Sequence, residues 1–203
     1  MCLGEAMNLQ NYETKDMRNS KMKRHILDVA LPIMRQIGYD NLTIRMICNE
    51  AGISTGMFYQ HFSSKEDLLA CYSVLAEENF ETHMDIQLSE LPLREQLVEF
   101  STWICTFTSN LGPDFCRNFF SSKSKSVNTD RFKNMLRDTI NTCLEKAVSD
   151  GFQFTPGRTL QAISRDISVI IRGIIFDWSV QEGSYDMAEY SRELFNRCID
   201  GLL

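Results

Sequence analysis

The chain has 203 residues, 43% of them hydrophobic and 24% charged, which supports one or two packed domains and argues against disorder. Seven cysteines without a C-x-x-C pair argue against a disulfide framework and for reduced thiols that pack as small hydrophobes. The formal net charge of −6 taken alone argues against a nucleic-acid partner.

The distribution of charge reverses that last inference. Residues 15–65 carry eight bases and four acids, a local excess of +4, while residues 66–203 carry the bulk of the acids. A phosphate backbone responds to the nearby field, because charge beyond about 8–10 Å is screened at physiological salt. A basic N-terminal module on an acidic body is therefore compatible with DNA. The first eight residues lack the basic start and apolar run of a secretion signal, and the longest uncharged stretch, Phe100 to Pro113, is too short and polar to span a bilayer. A soluble, cytoplasmic protein without membrane contact is expected.

In chain order, residues 1–18 show no period and are expected to form a flexible arm. From Ser20, Ile26, Ala30, Ile33 and Ile37 fall on one helical stripe that Gly38 ends, with Pro32 expected to kink it. Thr43 can cap a short second helix with Ile44, Ile47 and Cys48 inward. Gly52 breaks it, and Ser54 caps a third helix ending near Phe62. Ser63 or Ser64 can cap a long fourth helix toward residue 90, with Leu68, Tyr72, Leu75 and Phe80 inward and Glu66 and Asp67 at its positive end.

Pro92 can start a fifth helix carrying Leu97, Phe100, Ile104, Phe107 and Leu111, stopped by Gly112-Pro113. An apolar segment from Phe115 to Phe120 and a polar linker over residues 121–126 follow. A further helix runs through Phe132, Leu136, Ile140, Leu144 and Ala147. Thr155-Pro156 is expected to cap the next, with Ile163, Ile167, Ile170, Ile174 and Trp178, and the last runs from Asp186 through Phe195 and Cys198. No strand alternation is present. The reading is an all-α protein of about nine helices, divided as arm 1–18, helix-turn-helix domain 19–66 and C-terminal helical domain 67–203.

The segment TIRMICNEAGISTGMFYQHF, residues 43–62, places two short helices around a turn at Ala51-Gly52-Ile53, where glycine can take positive φ without steric cost. Ile47, Ile53, Phe58 and Phe62 point one way and lock the helices together. Thr55, Gly56, Tyr59 and Gln60 face outward, and a helix so mounted can enter a major groove about 12 Å wide.

Residues 26–72 resemble the tetracycline-repressor (TetR) family of transcriptional regulators. The resemblance is carried by Gly38-Tyr39, Thr43-x-Arg45-x-Ile47, Ala51-Gly52-Ile53-Ser54, Gly56-x-Phe58-Tyr59-x-His61-Phe62 and Ser64-Lys65-Glu66. It implies a homodimer that binds a double-stranded DNA operator and answers to a small-molecule effector, with no cofactor and no metal. It implies phosphate contacts for Thr43, Tyr59 and Lys65, and base-edge or close backbone contacts for Arg45, Thr55, Gly56 and Gln60. Ser54 belongs to the same face, and His61 either touches a phosphate or orients the helix. Thr55 departs from the family pattern, standing where lysine is common.

The resemblance also implies an effector cavity in the second half, for which Trp103, Phe107, Phe119, Phe120, Arg172 and Phe176 are the candidates. Arg172 interrupts an isoleucine-rich run, so it reaches solvent, pairs with an acid, or meets an anionic ligand. Dimerisation is expected through the last two helices, with Ile170, Ile174, Trp178, Phe195 and Ile199 buried between subunits. His25, His61 and His83 are far apart in sequence, and no G-x-S-x-G, P-loop or G-x-G-x-x-G is present, so an enzyme is not expected. The remaining alternative is a helical protein-binding adaptor without specific DNA binding.

Overall fold

The computed structural model describes residues 15–71, 76, 90–122 and 129–203. Within these residues the chain is all-α, with nine helices and no strand. They are α1 (Lys15–Ile37), α2 (Ile44–Ala51), α3 (Thr55–His61), α4 (Glu66–Ala70), α5 (Leu93–Ser109), α6 (Pro113–Ser121), α7 (Thr129–Ser149), α8 (Leu160–Val180) and α9 (Met187–Leu202). No helix among the described residues is long and apolar enough to cross a membrane.

Helix α1 starts at Lys15, so the last residues of the expected arm are helical, and it runs through Pro32 without a break. Its core-facing residues are Ile26, Leu27, Ala30 and Met34, while Ile33 and Ile37 are only partly covered. The covered stripe is thus rotated toward the body of the protein, where Leu27, Leu31 and Met34 face Leu68, Leu111 and Phe115 across an apolar crevice. Residues 1–14, and Tyr72, Leu75 and Phe80 of the expected fourth helix, lie outside the described residues, as does most of the expected linker.

Three local expectations are corrected. Neither serine hydroxyl caps α4; instead Asp67 Oδ2 reaches back and accepts from the Ser63 amide at 2.6 Å. Helix α8 starts at Leu160, not at Thr155-Pro156, with Thr159 accepting from the Ala162 amide at 3.2 Å. Residues 155–158 are instead drawn aside, because the Thr155 amide donates to the Leu203 carbonyl at 2.8 Å. The apolar segment after Gly112 is the helix α6, with Pro113 in its first turn and Phe115, Cys116 and Phe119 buried.

In the body, α5 lies along α9. Arg94 donates to Asp200 and Asn196, and Arg192 pairs both guanidinium nitrogens with the Glu99 carboxylate. These half-exposed pairs set alignment more than stability; the adhesive is the core, in which Leu97, Phe100, Ile104, Phe132, Leu136, Ile140, Ile167 and Phe195 are fully buried. Burial pushes the Cys105 thiol up to about 12 and that of Cys116 further, so both are protonated, inert core groups at neutral pH.

Helix α6 joins the body to the N-terminal helices. Asp114 Oδ2 accepts from the Asp40 amide at 2.8 Å, and the Asp40 carboxylate accepts from Asn118 Nδ2 at 2.9 Å and Arg117 Nη2 at 3.3 Å. Arg117 Nη1 also donates to the Ser179 carbonyl near the end of α8, at 3.4 Å. The Tyr39 ring stands edge-on to Phe115, with centroids 5.9 Å apart. Arg35 Nε donates to the Asn110 carbonyl at 3.1 Å.

Candidate nucleic-acid interface

Both short helices are built the same way. Thr43 is extended and its hydroxyl accepts from the Met46 amide at 3.2 Å; Ser54 does the same for the Met57 amide at 3.1 Å. Each cap satisfies a donor that an isolated helix start leaves open. Gly52 holds φ +66° between them, a conformation that a side chain resists, and its amide points back to Asn49 and Cys48 carbonyls. The Ile53 amide donates to Cys48 at 3.0 Å, which fixes the angle between α2 and α3.

Packing then decides which residues face out. Phe58 and Ile47 are fully buried, Cys48 and Phe62 nearly so, and the Phe58 and Phe62 rings lie 5.4 Å apart. With that side sealed, Ser54, Thr55, Gly56, Tyr59 and Gln60 of the opposite face are exposed, and Tyr59 keeps 56% of its surface. Thr43 and Arg45 are exposed beside them on α2. A Cβ on Gly56 would meet only Ser54 Oγ, at 3.7 Å, so packing does not require a glycine there. What its bare backbone provides is room for something outside the chain to approach.

Two expected contacts are placed differently. Lys65 is turned inward: Nζ donates to the Tyr39 and Asp40 carbonyls at 3.0 and 3.4 Å and sits 4.4 Å from the centre of the Tyr39 ring. It staples the loop between α1 and α2. His61 is partly covered, with Nδ1 buried and without a partner among the described residues, which fits the orienting role better than an outward one. Sequence reasoning also missed two outward residues, Met46 and Met57, at 38% and 36% exposure. Their signal was legible: each falls off the core stripe, at the third position of its helix.

The second-half candidates are divided. Phe119 is buried; Trp103, Phe107 and Phe120 are partly buried against the core, and Trp103 stacks on both Phe100 and Phe107 at 6.2 and 5.7 Å. Phe176 points outward at 55% exposure, away from any interior cavity. Arg172 is partly buried and donates from Nε to the Ser168 carbonyl of its own helix at 3.1 Å. Of the expected dimer residues, Phe195 and Ile199 are fully covered within the chain and Ile174 and Trp178 nearly so, leaving them no area to offer a partner. Ile170 alone of that set is partly exposed.

Fold and face together define an all-α protein with a helix-turn-helix module. Residues 26–71 match the family described as bacterial regulatory proteins, tetR family. The chain is 39% identical over 57 residues to the HTH-type transcriptional regulator AcrR of Shigella flexneri, covering 28% of this chain and 26% of AcrR. It is 25% identical over 163 residues to the HTH-type transcriptional regulator YerO of Bacillus subtilis, covering 78% of this chain and 55% of YerO. The matches thus span between about a quarter and about half of these relatives. Among solved structures, the transcriptional regulator FadR of Bacillus subtilis in complex with stearoyl-CoA superposes with a TM-score of 0.69 at 19% identity, over 88% of this chain and 98% of that one. FadR of Thermus thermophilus, a repressor in complex with lauroyl-CoA, gives 0.66 at 20% identity, over 89% and 95%. The match to that family lies in the N-terminal module, and both relatives are named as HTH-type transcriptional regulators.

Proposed function

We propose that this protein is a homodimeric, DNA-binding transcriptional repressor whose grip on an operator is relieved by a small-molecule effector. The observation that carries this reading is the outward face of α3, which presents Thr55, Gly56, Tyr59 and Gln60 without a carboxylate, beside Arg45 on α2. In a symmetric pair, two such helices about 34–36 Å apart would occupy successive major grooves. The division into arm, helix-turn-helix domain and C-terminal effector and dimerisation domain belongs to the same proposal.

The test is binding to the DNA upstream of the protein's own gene, followed by anisotropy. Tyr59→Ala is expected to weaken binding across sequences, since a phosphate contact carries no base information. Arg45→Ala is expected to relax sequence preference at one position, at a cost of about 1–3 kcal/mol if it pairs bidentately with a base. Indifference of affinity to both changes favours an adaptor that binds protein instead.

The dimer face proposed here is the outer stripe of α8, where Val169, Phe176 and Val180 are 52%, 55% and 56% exposed, with Tyr190 of α9 at 41%. A Cβ on Gly173, in the middle of that stripe, would meet nothing within 4 Å, so a second helix can approach closely. Phe176→Arg is expected to cost the dimer about 2 kcal/mol or more, the scale of a central interface aromatic, and to shift sedimentation toward monomer. A dimer of unchanged affinity places the interface elsewhere.

For the effector, the FadR neighbours are complexes with stearoyl-CoA and lauroyl-CoA. The partly covered Trp103, Phe107 and Phe120 favour a similarly apolar ligand in this chain. Movement of α6 would reach the DNA-binding module directly, since Asp114, Arg117 and Asn118 all hold Asp40. A coupling of about 1–3 kcal/mol would change operator affinity about 5- to 150-fold.

A further inference from the structure

The exposed side of α3 is unusual in what it lacks. Its sequence, Thr-Gly-Met-Phe-Tyr-Gln-His, holds no arginine, lysine, aspartate or glutamate, and its histidine is partly covered. In the major groove, guanine is most often taken by an arginine or lysine on O6 and N7, and cytosine is read by a carboxylate on its amino group. Helix α3 has neither tool. It does have a glutamine, which can pair with adenine, and an apolar side chain of the kind that packs on the thymine C5-methyl group.

That apolar side chain is Met57. It stands in the first turn of α3, the part of a recognition helix that meets base edges, and its amide is tied to Ser54 Oγ at 3.1 Å. Its neighbour Phe58 is fully buried, whereas Met57 keeps 36% of its surface, so the core does not account for an apolar residue here. A long, polarisable thioether adapts readily to a methyl group. Gln60 lies three residues on, on the same exposed side.

We propose that α3 reads A·T pairs, with Met57 packed on a thymine methyl group and Gln60 bonded to adenine, donating to N7 and accepting from N6. This rests on the DNA-binding reading above. Arg45, on α2, would serve any guanine outside the stretch that α3 covers.

The experiment begins with selection of duplexes from a random pool by the full-length protein. Each thymine of the selected site is then replaced by uracil, which removes the methyl group alone. One position in each half-site is expected to lose about fourfold in affinity, the effect of leaving one methyl in water. Met57→Ala should bind thymine and uracil duplexes equally at that position, Met57→Leu should keep the preference, and Gln60→Ala should relax a neighbouring adenine. Thermal unfolding at the wild-type midpoint would show that Met57→Ala is folded. If duplexes are selected but every thymine tolerates uracil, or Met57→Ala keeps the discrimination, the A·T reading is overturned while DNA binding stands. Failure to select any duplex overturns DNA binding itself, and the A·T reading with it.

Discussion

Phe58→Ala is expected to destabilise the helix-turn-helix module by about 3–5 kcal/mol, the range for removing a fully buried aromatic ring. Phe58 has no exposed surface, and its ring is flanked by Tyr59 at 5.7 Å and Phe62 at 5.4 Å. Helix α3 has only seven residues, too few to be stable alone, and Phe58 is its buried residue, so its shape depends strongly on this anchor. A loss of that size is a large part of the 5–15 kcal/mol that holds a typical domain. Limited proteolysis or amide exchange within residues 44–62 checks it. Both tryptophans, Trp103 and Trp178, lie in the C-terminal part, so their emission reports on the body while the module opens. Wild-type protection in that segment would show that Phe58 is not the anchor.

The second large effect is expected at Gly38. It holds φ +83°, and an added Cβ would lie 2.7 Å from Asp114 Oδ2. That carboxylate cannot simply swing away, because Oδ2 accepts from the Asp40 amide at 2.8 Å and Oδ1 from the Phe115 amide at 2.9 Å. Gly38→Ala should therefore combine left-handed backbone strain of about 1–2 kcal/mol with loss of a charged hydrogen bond of about 1.5–3 kcal/mol. The total, about 2.5–5 kcal/mol, is readable from the urea midpoint. A double-mutant cycle separates the parts: in an Asp114→Ala background, Gly38→Ala should cost only the backbone strain. Strict additivity would mean that Asp114 does not oppose the new methyl group.

These two positions differ in how far the sequence revealed them. Phe58 was assigned to the core from its place opposite Thr55, Tyr59 and Gln60 within one short helix. Gly38 was legible as a helix stop, but its second role, admitting the Asp114 carboxylate, joins residues 76 apart and has no local signal. Lys65 illustrates the same gap. The family resemblance implies a phosphate contact for Lys65, while in the folded chain its ammonium donates to the carbonyls of Tyr39 and Asp40.

Local chemistry settled a great deal by itself. Cap residues such as Thr43 and Ser54, and the period of the apolar residues, determined nearly all the described helices and the outward face of α3, because caps and helical stripes involve groups within a turn or two of one another. Periodicity could not say what an apolar stripe is buried against. Helix α8 carries two: Ile163, Ile167, Ile171, Ile174 and Trp178 are covered by the chain itself, while Val169, Phe176 and Val180 remain open. Both are apolar in the sequence, and which is core and which is free surface depends on the helices that arrive from elsewhere in the chain. Only the tertiary structure decided that, as it decided that α6 grips Asp40.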